Sequence, residues 1–215
     1  MNKFAVVIQL FILVLLLGCG VPTSDVNRDD PGYTVSFNDT GNKVFIIKRD
    51  IFYFSFECLP SYELVILRLE QPQNWPAILI VDLIEKATED KEYSTFISIY
   101  VDDSGGVPMA ETIAADSLND ARNRPEFHLL DESTLTVDGA MAFQYSYYYE
   151  YRRFKPHPPG SVPAEEEVFT PGINREVYFD NSGFLWNLHL GTHPSQAEQD
   201  NAAFDKVLES FKVLD

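Results

Sequence analysis

The sequence predicts an α+β domain built as an α/β/α sandwich, with a central, mostly antiparallel sheet flanked by helices. Three observations carry this. Residues 78–84 (ILIVDLI) and 96–101 (FISIYV) are apolar at almost every position, and strands of that kind are covered on both faces, as in the middle of a layered sheet. Elsewhere apolar residues alternate at period two between turn signals, the pattern of one-sided antiparallel strands. Two segments, residues 108–123 and the stretch from Ser195 onward, repeat apolar residues at helical spacing, and these are the helices available to cover the sheet.

The chain begins with a segment of another kind. Lys3 and the amino terminus precede an apolar run over residues 4–17, closed by Gly18-Cys19. The run is about 14 residues long where a spanning helix needs about 20, so residues 1–18 read as a secretory signal. Leu16-Leu17-Gly18-Cys19 resembles the lipobox of bacterial lipoproteins, in which the Cys sulfur takes a diacylglyceryl group before cleavage and the new amino terminus is usually acylated. The resemblance implies lipidation of Cys19, attachment to the lipid bilayer through its acyl chains, and a place on the cell membrane facing outside the cytoplasm. Several acyl chains on one residue exceed what stable anchoring requires. An ordinary cleaved signal with an incidental Cys, or a short uncleaved anchor, are the competing readings. Residues 19–32 hold Pro22, Asp29, Asp30 and Pro31 and almost nothing that could enter a core. They read as a tether whose part after the anchor spans about 40 Å when extended.

Residues 33–215 form the domain. Residues 33–37 and 44–48 flank Asn38-Asp39-Thr40-Gly41-Asn42 and read as a hairpin. In residues 51–56, Phe52, Phe54 and Phe56 share one face, and Leu59-Pro60 ends that strand; residues 62–69 read as a further strand. Pro108 is a suitable first-turn residue for a helix with Ile113, Ala114, Leu118 and Ala121 on one side and Pro125 beyond its end. Residues 127–130 and 135–137 are strands leading into Asp138-Gly139, a strong hairpin signal. Phe143, Tyr145, Tyr147, Tyr149 and Tyr151 then occupy one face of a long strand. Residues 155–171, rich in proline and containing Glu165-Glu166-Glu167, read as an exposed loop. Residues 177–179, the turn Asp180-Asn181-Ser182-Gly183 and residues 184–190 complete the sheet. Ser195-Gln196-Ala197-Glu198 reads as a capping box opening the last helix, whose stripe is Phe204, Val207, Leu208 and Phe211.

Charge excludes some partners. The chain carries 16 basic and 33 acidic side chains, net −17; no nucleic acid is expected as a ligand, because binding it requires cations to neutralise phosphates. Anionic headgroups repel such a domain too, which leaves the lipid to hold it down. With Cys19 lipidated only Cys58 remains, so no intramolecular disulfide forms. Cys58 lies between Phe56 and Leu59 and reads as a small buried hydrophobe.

The order of elements resembles the PsbP-like fold, named for an extrinsic subunit of photosystem II. The residues carrying the resemblance are Phe54-Ser55-Phe56 with Pro60, Thr136-Val137-Asp138-Gly139-Ala140 with Tyr145 and Tyr147, Tyr178 with Leu185-Trp186, and Ser210-Phe211-Lys212-Val213. The resemblance implies an antiparallel sheet between helical layers, a role in assembling or stabilising a membrane complex and, in some members, divalent-cation binding. Tyr62 stands where the family usually shows Trp, and no metal ligand of the family maps onto a position here. No cofactor or metal is therefore expected.

No catalytic residues emerge either. His189 and His193 have the spacing that puts two zinc ligands on one helical face, but Pro194 and the strand-then-cap pattern argue against helical geometry there. His128 reads as a strand residue with one satisfied nitrogen, His157 as part of the loop. There is no Gly-x-Ser-x-Gly elbow and no Ser-x-x-Lys. Ser104-Gly105-Gly106 lacks the lysine of a phosphate loop and reads as a turn. Asp102-Asp103 and Glu165-Glu166-Glu167 lack the alternating spacing of a calcium loop and read as solvated charge. The tyrosine stripe reads as core beneath a helix. The expectation is a non-enzymatic binding or assembly role on an envelope complex, with an unidentified envelope protein as partner. A divalent-cation-binding accessory protein and an extracytoplasmic hydrolase are the alternatives.

Overall fold

A computed structural model describes residues 32–70, 78–85, 93–154 and 167–214. In chain order these form β1 (Tyr33–Phe37), β2 (Lys43–Arg49), β3 (Phe52–Cys58), β4 (Tyr62–Glu70), β5 (Ile78–Glu85), β6 (Thr95–Asp103), α1 (Ala110–Ala121), β7 (His128–Val137), β8 (Ala140–Phe154), β9 (Glu167–Asn181), β10 (Phe184–Thr192), α2 (Ala197–Ser210) and β11 (Lys212–Val213). The strands make two sheets. The larger runs β4-β5-β6-β10-β9-β8-β7 and the smaller β1-β2-β3-β11, with every pairing antiparallel.

The antiparallel central sheet and its helices are as the sequence predicts, and the helices lie on opposite faces. One layer differs from the expected sandwich: beside α2 the covering is largely the second sheet. The reason lies in β2 and β3, whose Phe45, Ile47, Phe52, Phe54, Phe56 and Cys58 are all buried. That face is too apolar to remain in water, and Pro60, in the turn closed by Tyr62 N–H to Leu59 O (3.1 Å), separates β3 from β4. The short hairpin sheet therefore folds over the larger one. Between them lies a core of Leu79, Val81, Leu83, Ile97, Ile99, Val101, Phe179, Trp186 and Leu188, joined by Phe204, Val207, Leu208 and Phe211 of and after α2. Phe54 stacks on Phe211 (5.6 Å) and meets Trp186 edge-on (5.1 Å); each such ring contributes about 1.5–3 kcal/mol by leaving water. Cys58 is buried here as expected, and burial, only partly opposed by the Lys43 charge, pushes its thiol pKa up to about 12.

Three local expectations need correction. β7 is one continuous strand, not two pieces; Asp131, Glu132 and Ser133, which break the apolar pattern, sit on an exposed sheet edge where charge is favourable. The expected loop over 155–171 gives way to β9 by Glu167, so Pro171 lies within a strand. It pairs with Glu150 of β8, while the β10 ladder stops at Ile173, so the missing N–H faces no third strand. The expected capping box is not formed. A 3-10 turn, Pro194–Gln196, precedes α2, and His193 Nδ1 accepts the Ser195 N–H.

Candidate functional site

The face of the large sheet that turns away from the second sheet is a grid whose rows are set by the strand registers. Across one row stand Asp82, Ser98, His189, Glu176 and Tyr145, each directly opposite the next on β5, β6, β10, β9 and β8. The next row holds Ile80, Tyr100, Asn187, Tyr178 and Phe143, and the one before it Ile84, Phe96, Gly191, Asn174 and Tyr147. Opposite residues approach to about 5 Å and rows are about 6.6 Å apart. The grid thus brings polar groups from four strands onto one buried plane: Asp82 is 6% exposed, Ser98 2%, Glu176 8% and His189 9%.

Over β8 and β9 this face is roofed by α1. Ala110, Ala114, Leu118 and Ala121 form its buried side and pack against Tyr145, Tyr147, Tyr178 and Leu185, small side chains that let the helix approach the rings closely. The helix is fixed by Asp180, whose carboxylate accepts the N–H groups of Met109 (3.0 Å) and Ala110 (2.9 Å), orphan donors at a helix start that also favour a negative charge.

Beneath α1 the polar atoms of Glu176 are satisfied. Tyr145 donates to Oε2 (3.0 Å), Tyr147 to Oε1 (3.2 Å) and Tyr178 to Oε2. Asn174 donates to the Tyr147 hydroxyl (2.8 Å), and Ser117 Oγ of α1 lies 3.0 Å from the Tyr178 hydroxyl. Arg124 spreads over the rings of Tyr147 (5.5 Å) and Tyr149 (5.1 Å). Burial, then the Glu176 carboxylate, holds all three phenols well above the ordinary tyrosine range, so they keep their protons and donate. Burial alone would lower the Arg124 pKa, but its interactions with Tyr147, Tyr149 and the Glu176 carboxylate outweigh it and raise it. The guanidinium, held over the tyrosine rings, acts on the buried carboxylate through space.

Beyond α1, over β5, β6 and the middle of β10, the arrangement changes. Asp82 Oδ1, Asp102 Oδ1, Asn187 Nδ2 and His189 Nε2 are buried with no hydrogen-bond partner. Ser98 hydrogen-bonds Asp82 and Tyr100. Phe96 lies across Gly191, where a Cβ would stand 2.0 Å from its ring, and meets His189 edge-on at 5.2 Å. Desolvation raises the Asp82 pKa against the pull of Ser98 and Arg68, and raises that of Asp102 with the help of Asp103. It lowers the His189 pKa, with Glu176 opposing and Arg124 reinforcing, so this imidazole is neutral at neutral pH.

Ser98, His189 and Glu176 stand side by side, yet they do not form a nucleophile and base. Ser98 is engaged with Asp82 and Tyr100, and His189 Nε2 makes no hydrogen bond, whereas acyl transfer needs the serine hydroxyl on the imidazole. What the arrangement offers is a mixed set of donors and acceptors beside the rings of Phe96 and Tyr100. Among the described residues no three His, Cys, Asp or Glu side chains could hold a metal ion.

The sequence reading located some of this. The tyrosine stripe lies beneath a helix as expected, and Ser104-Gly105-Gly106 is a turn, with φ of +62° and +79° at the glycines and Ser104 Oγ donating to Gly183 O (2.9 Å). His189 and His193 do not share a helix; His193 stacks on Tyr93 at 3.8 Å. His128 is exposed at the start of the edge strand. Asp102 is not solvated charge: it is half-buried with an unpartnered oxygen, while Asp103 accepts the Gly105 N–H (2.9 Å). Sequence reasoning missed Asp82, Ser98, Asn187 and Glu176. For Asp82, Ser98 and Asn187 the signal was present as single polar residues inside apolar strands, whereas Glu176 follows Asn174 and Arg175 in a polar run that gave none. The signal, Cys19 and the tether up to residue 31, with His157, Glu165 and Glu166, lie outside the described residues.

No family model matches the chain, and no curated protein does. Several solved structures are similar to it. A protein of unknown function from Pseudomonas aeruginosa is 12% identical, with a TM-score of 0.48 over 85% of this chain and 98% of that one. LpqN, involved in cell envelope biogenesis of Mycobacterium tuberculosis, is 13% identical, with a TM-score of 0.49 over 91% of this chain and 100% of that one. The cyanobacterial PsbP of Synechocystis is 14% identical, with a TM-score of 0.44 over 92% of this chain and 99% of that one. Among the described residues no helix is long and apolar enough to cross a membrane.

Proposed function

We propose that the chain is a membrane-anchored extracytoplasmic lipoprotein, held by lipid on Cys19, whose domain has a binding or assembly role on an envelope complex and catalyses no reaction. The observation that carries the reading is Leu16-Leu17-Gly18-Cys19 closing an apolar run of about 14 residues, too short to span and followed by a tether. Lipid supplies the membrane affinity that a chain of net charge −17 lacks. A binding role is supported by buried polar atoms without partners on one sheet face, His189 Nε2 among them, beside a serine that is engaged with Asp82.

Metabolic labelling with a palmitate analogue, followed by fractionation, tests the anchor. Label and membrane association are expected in the unaltered protein and are both lost in Cys19→Ser; a Cys19→Ser protein that is still labelled and membrane-bound refutes it. Crosslinking in intact cells before mild-detergent purification tests the role. A reproducible envelope partner is expected, and turnover of an ester, glycoside or peptide substrate that disappears in Ser98→Ala contradicts it.

A further inference from the structure

We infer that the part of the large sheet's polar face lying beyond α1, around Asp82, Asp102, Asn187 and His189, is a binding site for a small neutral polyhydroxylated molecule of the sugar or polyol class. The inference goes beyond the anchoring reading and stands whether or not Cys19 carries lipid.

The contrast between the two halves of one face points there. Beneath α1 the buried Glu176 carboxylate takes three phenolic donors and has an arginine nearby. Beyond α1, on the same face, four buried polar atoms have no hydrogen-bond partner, although the Arg68 charge acts on Asp82 from β4, the neighbouring strand. Asp82 and His189 are both more than nine-tenths buried and stand two strands apart in one row, each directly opposite Ser98 from its own side. Asn187 is two residues from His189 on β10, and Asp102 four residues from Ser98 on β6, so the atoms fall within a patch three strands wide and about 13 Å long. A buried donor or acceptor left unmet costs about 1–3 kcal/mol, and four in one patch are not tolerated without something that meets them.

The chemistry of the four atoms selects the ligand. Asp82 Oδ1 and Asp102 Oδ1 accept, Asn187 Nδ2 donates, and a neutral imidazole nitrogen does either. Arg68 offsets one negative charge, but an anionic group still meets two aspartates and has no hydrogen to donate to them. A cation cannot accept from Asn187. A single metal ion, with ligands at about 2–2.6 Å, cannot touch all of a set of atoms spread over about 13 Å, and no metal-competent cluster exists among the described residues. Hydroxyl groups both donate and accept, so a polyhydroxylated molecule meets all four. Phe96, 37% exposed, and the half-buried Tyr100 flank the patch and suit the apolar faces of a sugar ring.

The test uses the full-length protein in mild detergent with 15N-labelled histidine. Glucose, N-acetylglucosamine and maltose are titrated as neutral probes, glucuronate and glucosamine as charged analogues of similar size. The His189 ring signal is expected to shift and saturate with at least one neutral probe, and glucuronate to bind about tenfold more weakly or not at all. Two shape-preserving variants, Asn187→Asp and Asp82→Asn, are each expected to weaken binding about tenfold, with far-UV circular dichroism unchanged; either variant that loses the fold is replaced by His189→Gln, for which the same loss is expected in calorimetry. The inference is overturned if no neutral probe binds, if glucosamine or glucuronate binds more tightly than every neutral probe, or if folded variants bind as well as the unaltered protein.

Discussion

Gly191 is the position where a single added carbon tests the packing of the polar face most sharply. Its Cβ would lie 2.0 Å from Cζ, 2.2 Å from Cε1 and 2.8 Å from Cε2 of Phe96, where carbon atoms need about 3.5–4.0 Å. The ring must therefore move by roughly 1.5–2 Å, and being 37% exposed it has solvent to move into. The move gives up its contact with the strand and its edge-on approach to His189, a cost of about 1–3 kcal/mol. Against this, alanine in a strand interior gains about 0.5–1 kcal/mol over glycine by losing less backbone freedom on folding. Gly191→Ala should thus destabilise by up to about 2.5 kcal/mol, with a central value of about 1 kcal/mol. In a Phe96→Ala background the obstruction is gone, the backbone effect remains, and the same substitution should stabilise by about 0.5–1 kcal/mol. Urea unfolding followed through the buried Trp186 reads all four corners of the cycle. If Gly191→Ala destabilises equally with and without Phe96, the glycine serves something other than the ring, and the packing described for this face is wrong.

Further outcomes follow from the same face. Asp180→Ala removes the acceptor for Met109 and Ala110 N–H and should cost about 1–2 kcal/mol, with α1 amides losing hydrogen-exchange protection before those of α2. Because the folded-state pKa of Asp82 lies above 3.8, the stability it contributes is present at low pH and lost as pH rises through the folded value. Asp82→Asn should therefore match the unaltered protein in urea midpoint at acid pH and exceed it progressively at neutral pH. His189 has the opposite sign. Its folded-state pKa lies below 6.5, so the unfolded chain takes up a proton that the folded one refuses, and stability falls as pH drops through 6.5; His189→Gln should flatten that slope.

Most of the fold was legible in the sequence because periodicity reports burial directly. Phe52, Phe54 and Phe56 at period two, the Asp138-Gly139 turn and the stripe at Ala114, Leu118 and Ala121 each encode a local structure that tertiary contacts then kept. The features that were not legible depend on what lies next to a strand. Asp131-Glu132-Ser133 reads as a break until β7 is known to be a sheet edge. Pro171 reads as a loop residue until β10 is seen to stop two residues short of it. Ser195 reads as a cap until His193 takes its N–H. The partition of the strands into two sheets is likewise a matter of which edge meets which. The site is harder still: Asp82, Ser98, His189 and Glu176 lie within four different strands, 13 to 107 residues apart along the chain, and only the registers place them in one row. The zinc-like spacing of His189 and His193, the one histidine signal visible in sequence, points to the wrong partner.

A crystal structure at a resolution that shows ordered solvent tests the central claim most directly, that protein groups do not complete this face. Non-protein atoms, water or a bound molecule, are predicted in hydrogen-bond contact with Asp82 Oδ1, Asn187 Nδ2 and His189 Nε2. Side chains or backbone groups of the chain itself occupying those positions would contradict it.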